Sequence, residues 1–122
     1  FLDGRLDHTL AAMHALVAAP AGARVILIGA EDVVFASPAE WRAELEPGVR
    51  ISFYPVRRVP AVGSKGLRWP IDSLLLEGGS RIGVSNETVS TNVGAWFAER
   101  GAVTILPRRW LDQAIASLSQ GG

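Results

Sequence analysis

The sequence predicts a mainly β protein: an antiparallel β-sandwich with a helix at its N-terminal end and a short helix at its C-terminal end. Three observations predict it. Short runs rich in β-branched and aromatic residues recur along the chain, at 25–28, 33–35, 49–54, 56–59, 81–85, 88–97 and 102–106, which is six to eight strands at regular spacing. Turn formers separate them, among them Glu46-Pro47-Gly48-Val49, Gly78-Gly79 and Glu99-Arg100-Gly101. Helical spacing is confined to the two ends, so helices do not alternate with strands as a parallel α/β sheet would require.

The opening helix follows Arg5-Leu6-Asp7-His8-Thr9, with Leu6, Leu10, Met13 and Val17 on one face and Pro20-Ala21-Gly22 as its stop. Asp7 is placed to cap it. Ser37-Pro38-Ala39-Glu40 has the form of a capping box with proline at the first helical position, which predicts a short helix through Trp41 to Leu45. At 49–54, Val49, Ile51 and Phe53 share one face of a strand and Arg50, Ser52 and Tyr54 the other. Pro55 and Pro60 bracket Val56-Arg57-Arg58-Val59, which reads as an edge or bent strand protected by its arginines. From 88 to 97, Val89, Thr91, Val93, Ala95 and Phe97 alternate onto one face. Pro107 stops the strand at 102–106, and Leu111, Ala114, Ile115 and Leu118 give the final helix an apolar side.

With 122 residues, 48% of them hydrophobic, the chain has the size of one domain with a proper core. Twelve basic residues balance twelve acidic ones, which gives no electrostatic argument for nucleic acid or an anionic membrane. Cysteine is absent, which removes disulfides, thiol nucleophiles and cysteine metal sites. No apolar run approaches the roughly 18 residues of a membrane span. No signal peptide is visible, so a cytoplasmic location is the expectation. His8 and His14 lie six apart, which is not the spacing of a helical zinc pair. No Ser-His-Asp arrangement, Gly-x-Ser-x-Gly elbow or common phosphate-binding glycine loop occurs.

Two phrases carry candidate chemistry: Ser64-Lys65-Gly66-Leu67-Arg68-Trp69-Pro70 and Gly83-Val84-Ser85-Asn86-Glu87. Pro70 ends any strand and holds Trp69 extended, so the indole sits at a strand end. A flat aromatic face beside hydroxyl, amide and carboxylate groups suits a planar, hydrogen-bonding, cationic ligand. Trp69 can equally be core and Ser85-Asn86-Glu87 a plain turn, and packing is the commoner fate of a tryptophan. Asp7 leaves two readings as well: a helix cap, the commoner use, or a Mg²⁺ ligand with Arg5 on a phosphate oxygen.

Taken in order, Gly4-Arg5-Leu6-Asp7-His8-Thr9-Leu10-Ala11, Ile51-Ser52 with Pro55, Gly66-Leu67-Arg68-Trp69-Pro70-Ile71 and Gly83-Val84-Ser85-Asn86-Glu87 resemble thiamine pyrophosphokinase. The likeness runs from Gly4 to about Leu106 and favours the functional readings of Asp7 and Trp69. It departs at Ala12, where many members carry Asn, and at Arg68, where Lys is usual. The resemblance implies the C-terminal part of a two-domain enzyme. Residues 1–20 would end the nucleotide-binding α/β domain, and residues 21–122 would be the thiamine-binding, homodimer-forming sandwich. It implies pyrophosphoryl transfer from ATP, with Mg²⁺, to the thiamine hydroxyl. Arg5 would meet the transferring phosphates and Asp7 would help hold Mg²⁺. Trp69 would stack on the pyrimidine, and Ser85 and Asn86 would bond or shape its pocket. Ser64 and Lys65 are weaker candidates. This chain alone would be inactive, because the other acidic Mg²⁺ ligands have no counterpart in it. The alternative is a stand-alone thiamine-binding or oligomerising sandwich without catalysis.

Overall fold

Two antiparallel sheets and two helices make up the protein in a computed structural model that describes residues 6–20, 23–77 and 83–119, apart from the side chains of residues 6 and 83–85. Helix α1 (Leu6–Ala18) leads into β1 (Ile26–Ile28), β2 (Asp32–Ala36), β3 (Glu40–Glu44), β4 (Arg50–Pro55), β5 (Val59–Lys65), β6 (Leu75–Leu76), β7 (Gly83–Glu87), β8 (Asn92–Phe97) and β9 (Ala102–Pro107). A 3-10 turn at Arg108–Trp110 then runs into α2 (Leu111–Ser119). The five-stranded sheet has the order β1-β2-β9-β4-β7 and the four-stranded sheet β3-β8-β5-β6.

Alternation makes the sandwich. Val33, Phe35, Ile51 and Phe53 from the first sheet and Trp41, Ala43, Val93, Ala95 and Phe97 from the second enter one core. Its centre is a chain of rings that alternates between the layers. Phe35 lies 5.9 Å from Trp41, Trp41 lies 5.9 Å from Phe53, and Phe53 lies 6.0 Å from Phe97, in tilted or edge-on geometry. The Trp41 indole N–H donates to Ser117 Oγ at 2.9 Å, which draws α2 onto β3. On the outer face of the five-stranded sheet, Leu16 and Val17 of α1 bury against Val34 and Val103, with Met13 and Tyr54 beside them.

Several sequence expectations change. The 40–45 segment is a strand, not a helix. Trp41, Ala43 and Leu45 are buried while Arg42 and Glu44 are exposed, and β8 supplies the pairing partners Ala95 and Val93. Six residues form too few helical bonds to compete with that ladder. Ser37 is not a cap; its hydroxyl pairs with Thr104 Oγ1 at 2.5 Å. Val59 and Pro60 are no free edge, because β5 lies between β8 and β6 and pairs them with Leu76 and Leu75. The Val56 and Arg57 N–H groups both donate to the Gly101 carbonyl at 3.0 Å. The alternation at 88–97 holds only from Asn92, since Val89 is exposed and 89–91 is a connection. In α1 the buried pair is Leu16 and Val17, with Leu10 47% exposed, and Asp7 lies inside the first turn. Gly78-Gly79 lies outside the described residues. No described helix is long and apolar enough to cross a membrane.

Trp41→Ala should therefore destabilise the fold by about 3–5 kcal/mol, since it empties the ring chain and removes the donor to Ser117 Oγ. Chemical denaturation against wild type measures this. A loss below about 1 kcal/mol would show that the two layers do not depend on this ring.

Candidate functional site

At one end of the sandwich the chain leaves β5 and crosses to the other sheet. Gly66 makes the crossing with φ +74°, a left-handed conformation that costs a side chain about 1–2 kcal/mol. A Cβ there would also lie 2.5 Å from the Asn92 carbonyl oxygen. Beyond it, Leu67 bridges to Thr88, and Arg68 N–H donates to the Glu87 carbonyl at 2.8 Å. So 67–68 runs antiparallel to the end of β7, and a residue that leaves the four-stranded sheet docks on the five-stranded one.

Thr88 secures this junction, and its role was not foreseen from the sequence. Its N–H donates to the Val49 carbonyl at 2.9 Å, and its carbonyl accepts Gly48 N–H at 2.8 Å. Its hydroxyl accepts Val49 N–H at 2.9 Å and donates to the Glu46 carbonyl at 2.5 Å. A buried threonine opposite a Pro-Gly turn has no sequence signature, because each partner is a main-chain group some 40 residues away.

Trp69 is 54% exposed, so its indole is a surface plate and not part of the core. Arg68 places its guanidinium 5.0 Å from the ring centroid and lies 3.6 Å from the Glu87 carboxylate. Both charged groups are substantially exposed, so the ion pair contributes under about 1 kcal/mol. It leaves a cation on the plate and a carboxylate beside it.

Asn86, on β7, is 5% exposed and lies under the Trp69 main chain. Its Oδ1 accepts Trp69 N–H at 3.2 Å and Glu87 N–H at 2.8 Å, and its Nδ2 donates to the Trp69 carbonyl at 2.8 Å. Ser64 Oγ donates to the Asp72 carboxylate and accepts Ile71 N–H at 3.1 Å, which ties β5 to the segment just after Trp69-Pro70. Trp69, Asn86 and Ser64 are thus joined through 69–71. Lys65 belongs elsewhere: it lines an open depression with Arg42, Asn92 and Trp96. The Trp96 ring covers Gly94, where a Cβ would come within 2.9 Å of it, and carries the Arg42 guanidinium at 5.3 Å. Trp96 and Asp72 are the aromatic and acidic neighbours that sequence reasoning missed; only strand pairing and a tight turn bring them in. The Ser85 side chain and all of Arg5 lie outside the described residues. Asp7 is exposed in the first turn of α1, its carboxylate accepting His8 N–H at 2.9 Å. No group of three His, Cys, Asp or Glu able to hold a metal occurs among the described residues.

Two glycines separate backbone strain from crowding. Gly66→Ala should cost more than about 2 kcal/mol, strain plus clash. Gly48→Ala, at φ +87° with nothing within 4 Å, should cost only about 1–2 kcal/mol. Equal losses in thermal denaturation would show that the Asn92 contact is not felt. Thr88→Val should cost about 1–3 kcal/mol, because the buried Val49 N–H loses its hydroxyl acceptor.

Residues 42–97, which hold Trp69, Asn86 and Ser64, match the family described as thiamin pyrophosphokinase, vitamin B1 binding domain. No curated protein gives a significant match to the sequence. Among solved structures, the Bacillus subtilis thiamine pyrophosphokinase superposes with a TM-score of 0.70 at 23% identity, over 85% of this chain and 51% of that one. The Geobacillus thermodenitrificans enzyme gives 0.69 at 21% identity over 85% and 49%. The yeast enzyme gives 0.72 at 16% identity over 93% and 39%. The chain thus spans about half the length of the two bacterial structures and less of the yeast one. At these identities the superpositions speak to fold, and the family likeness rests on the sequence match: residues 42–97 are similar to the thiamin pyrophosphokinase, vitamin B1 binding domain family.

Proposed function

We propose that this chain is the thiamine-binding and dimer-forming part of a thiamine pyrophosphokinase. The observation that carries the reading is Trp69: an exposed indole, clipped by its main chain to β7, inside the stretch that matches the family. Thiamine pairs a flat aminopyrimidine with a permanently charged thiazolium. An indole face suits the first by stacking and the second by a cation–π contact of about 0.5–2 kcal/mol. The Arg68 guanidinium already rests against the ring, so a cationic ligand takes the other face or moves Arg68 aside.

In the reaction proposed, the thiamine hydroxyl oxygen forms a bond to the β-phosphorus of ATP. The bond from that phosphorus to the bridging oxygen of AMP breaks, AMP leaves with both electrons, and the hydroxyl proton passes to the surroundings. Such transfer depends on placement and charge neutralisation. This chain's share is placement, with Trp69 and its supports fixing the pyrimidine end. Arg5 would add positive charge at the phosphates. Mg²⁺ would neutralise phosphate charge; Asp7 is one carboxylate only, so the described residues do not form a cation site and the remaining ligands would come from the nucleotide-binding half.

Titration calorimetry with thiamine tests the reading. Trp69→Ala should weaken binding about tenfold, the factor that about 1.4 kcal/mol represents, while the fold persists because the ring is exposed. Equal affinity in folded Trp69→Ala and wild type would remove the stacking role. Sedimentation equilibrium should give twice the chain mass. AMP release from ATP, thiamine and Mg²⁺ by this chain alone should be absent, and clear turnover would place the catalytic groups within it.

A further inference from the structure

Building on the reading of Trp69 as the ligand-facing plate, we propose that Asn86 is its positioning residue. The buried carboxamide holds the Trp69 main chain and does not itself contact the ligand. A side-chain amide has two acceptor sites and two donor hydrogens. Both acceptor sites of Oδ1 are taken, by the N–H groups of Trp69 and Glu87. One Nδ2 hydrogen is taken by the Trp69 carbonyl. Two N–H groups aimed at one atom fix which end of the amide is oxygen. At 5% exposure the group offers almost no surface to a ligand.

The geometry copies a strand neighbour. Between paired strands, one residue exchanges an N–H and a C=O with its partner. Here Arg68 gives its N–H to the Glu87 main chain, and at Trp69 the Asn86 side chain supplies both halves of the exchange. The substitute is needed because Pro70 follows, has no N–H and cannot extend the pairing. Only a carboxamide offers donor and acceptor in one plane at this reach; serine and aspartate do not. An exposed residue between a crossing and a proline is thereby given a fixed main chain, and its ring need not be ordered by the ligand.

The test combines fluorine NMR of the protein labelled with 5-fluorotryptophan and thiamine calorimetry. The four tryptophans give four resonances, and Trp69→Phe assigns the relevant one. In Asn86→Ala without ligand, the Trp69 resonance should shift or broaden while that of buried Trp41 stays. Asn86→Ala should weaken thiamine binding about tenfold in the wild-type background and less than about twofold in the Trp69→Ala background, where there is no plate left to position. Asn86→Asp keeps the volume and both acceptor bonds and sets an oxygen against the Trp69 carbonyl. It should disturb the same resonance and serves if Asn86→Ala does not fold. An undisturbed Trp69 resonance in a folded Asn86 variant overturns the proposal. So does an equal loss of affinity in both backgrounds, which would make Asn86 a direct ligand contact. A wild-type protein that does not bind thiamine would end the functional reading instead, and the fluorine measurement would then decide the positioning role alone.

Discussion

The buried indole of Trp41 is the contact on which both layers depend. A sheet with one apolar face must cover that face, and two such sheets stack about 10 Å apart, a gap that side chains must fill. Trp41 does so with Phe35 and Phe53 of the opposite sheet on either side of it. It is the largest fully buried side chain among the described residues, and its one polar atom is matched by Ser117. Because that partner lies on α2, the same residue sets the spacing of the sheets and the seat of the last helix.

From that rigid body the candidate site projects at one end. Its plate is exposed, yet the atoms that hold it are buried or drawn from the main chain. Thr88 closes the Glu46–Val49 turn onto the start of the 67–69 segment, and Asn86 extends the pairing by one residue under Trp69. Order is therefore carried from the core to the surface by hydrogen bonds, while the ring itself stays at the surface with Arg68 against it. This division suits a binding element, since an exposed ring is positioned only if the groups around it are themselves held in place.

Charge around the plate is mixed. Arg68 lies against the ring and Glu87 beside Arg68, and Asp72 holds Ser64 nearby in sequence. A cation approaching Trp69 meets an aromatic face and a carboxylate, but also a guanidinium that competes for the same face. Arginine in place of lysine sharpens this competition, because a planar, weakly hydrated guanidinium stacks on an indole better than an ammonium does.

The sequence by itself determined the mainly β character, the helices at both ends, most strand positions and the ordered phrases around Trp69 and Asn86. These follow from period-two alternation, from proline and glycine placement, and from motif order, all of which are local. Only the tertiary structure decided the rest. The 40–45 segment carries local helix-start signals, and strand pairing with β8 overrides them. Val59 looked like an edge until β6, only two residues long, paired with it. Whether Trp69 was core or surface could not be read locally, because burial depends on what the opposite sheet brings. Asn86 read as a group that bonds a ligand or shapes its pocket, and which main-chain atoms its amide meets was set by a crossing between sheets, a contact over 17 residues that no spacing rule encodes.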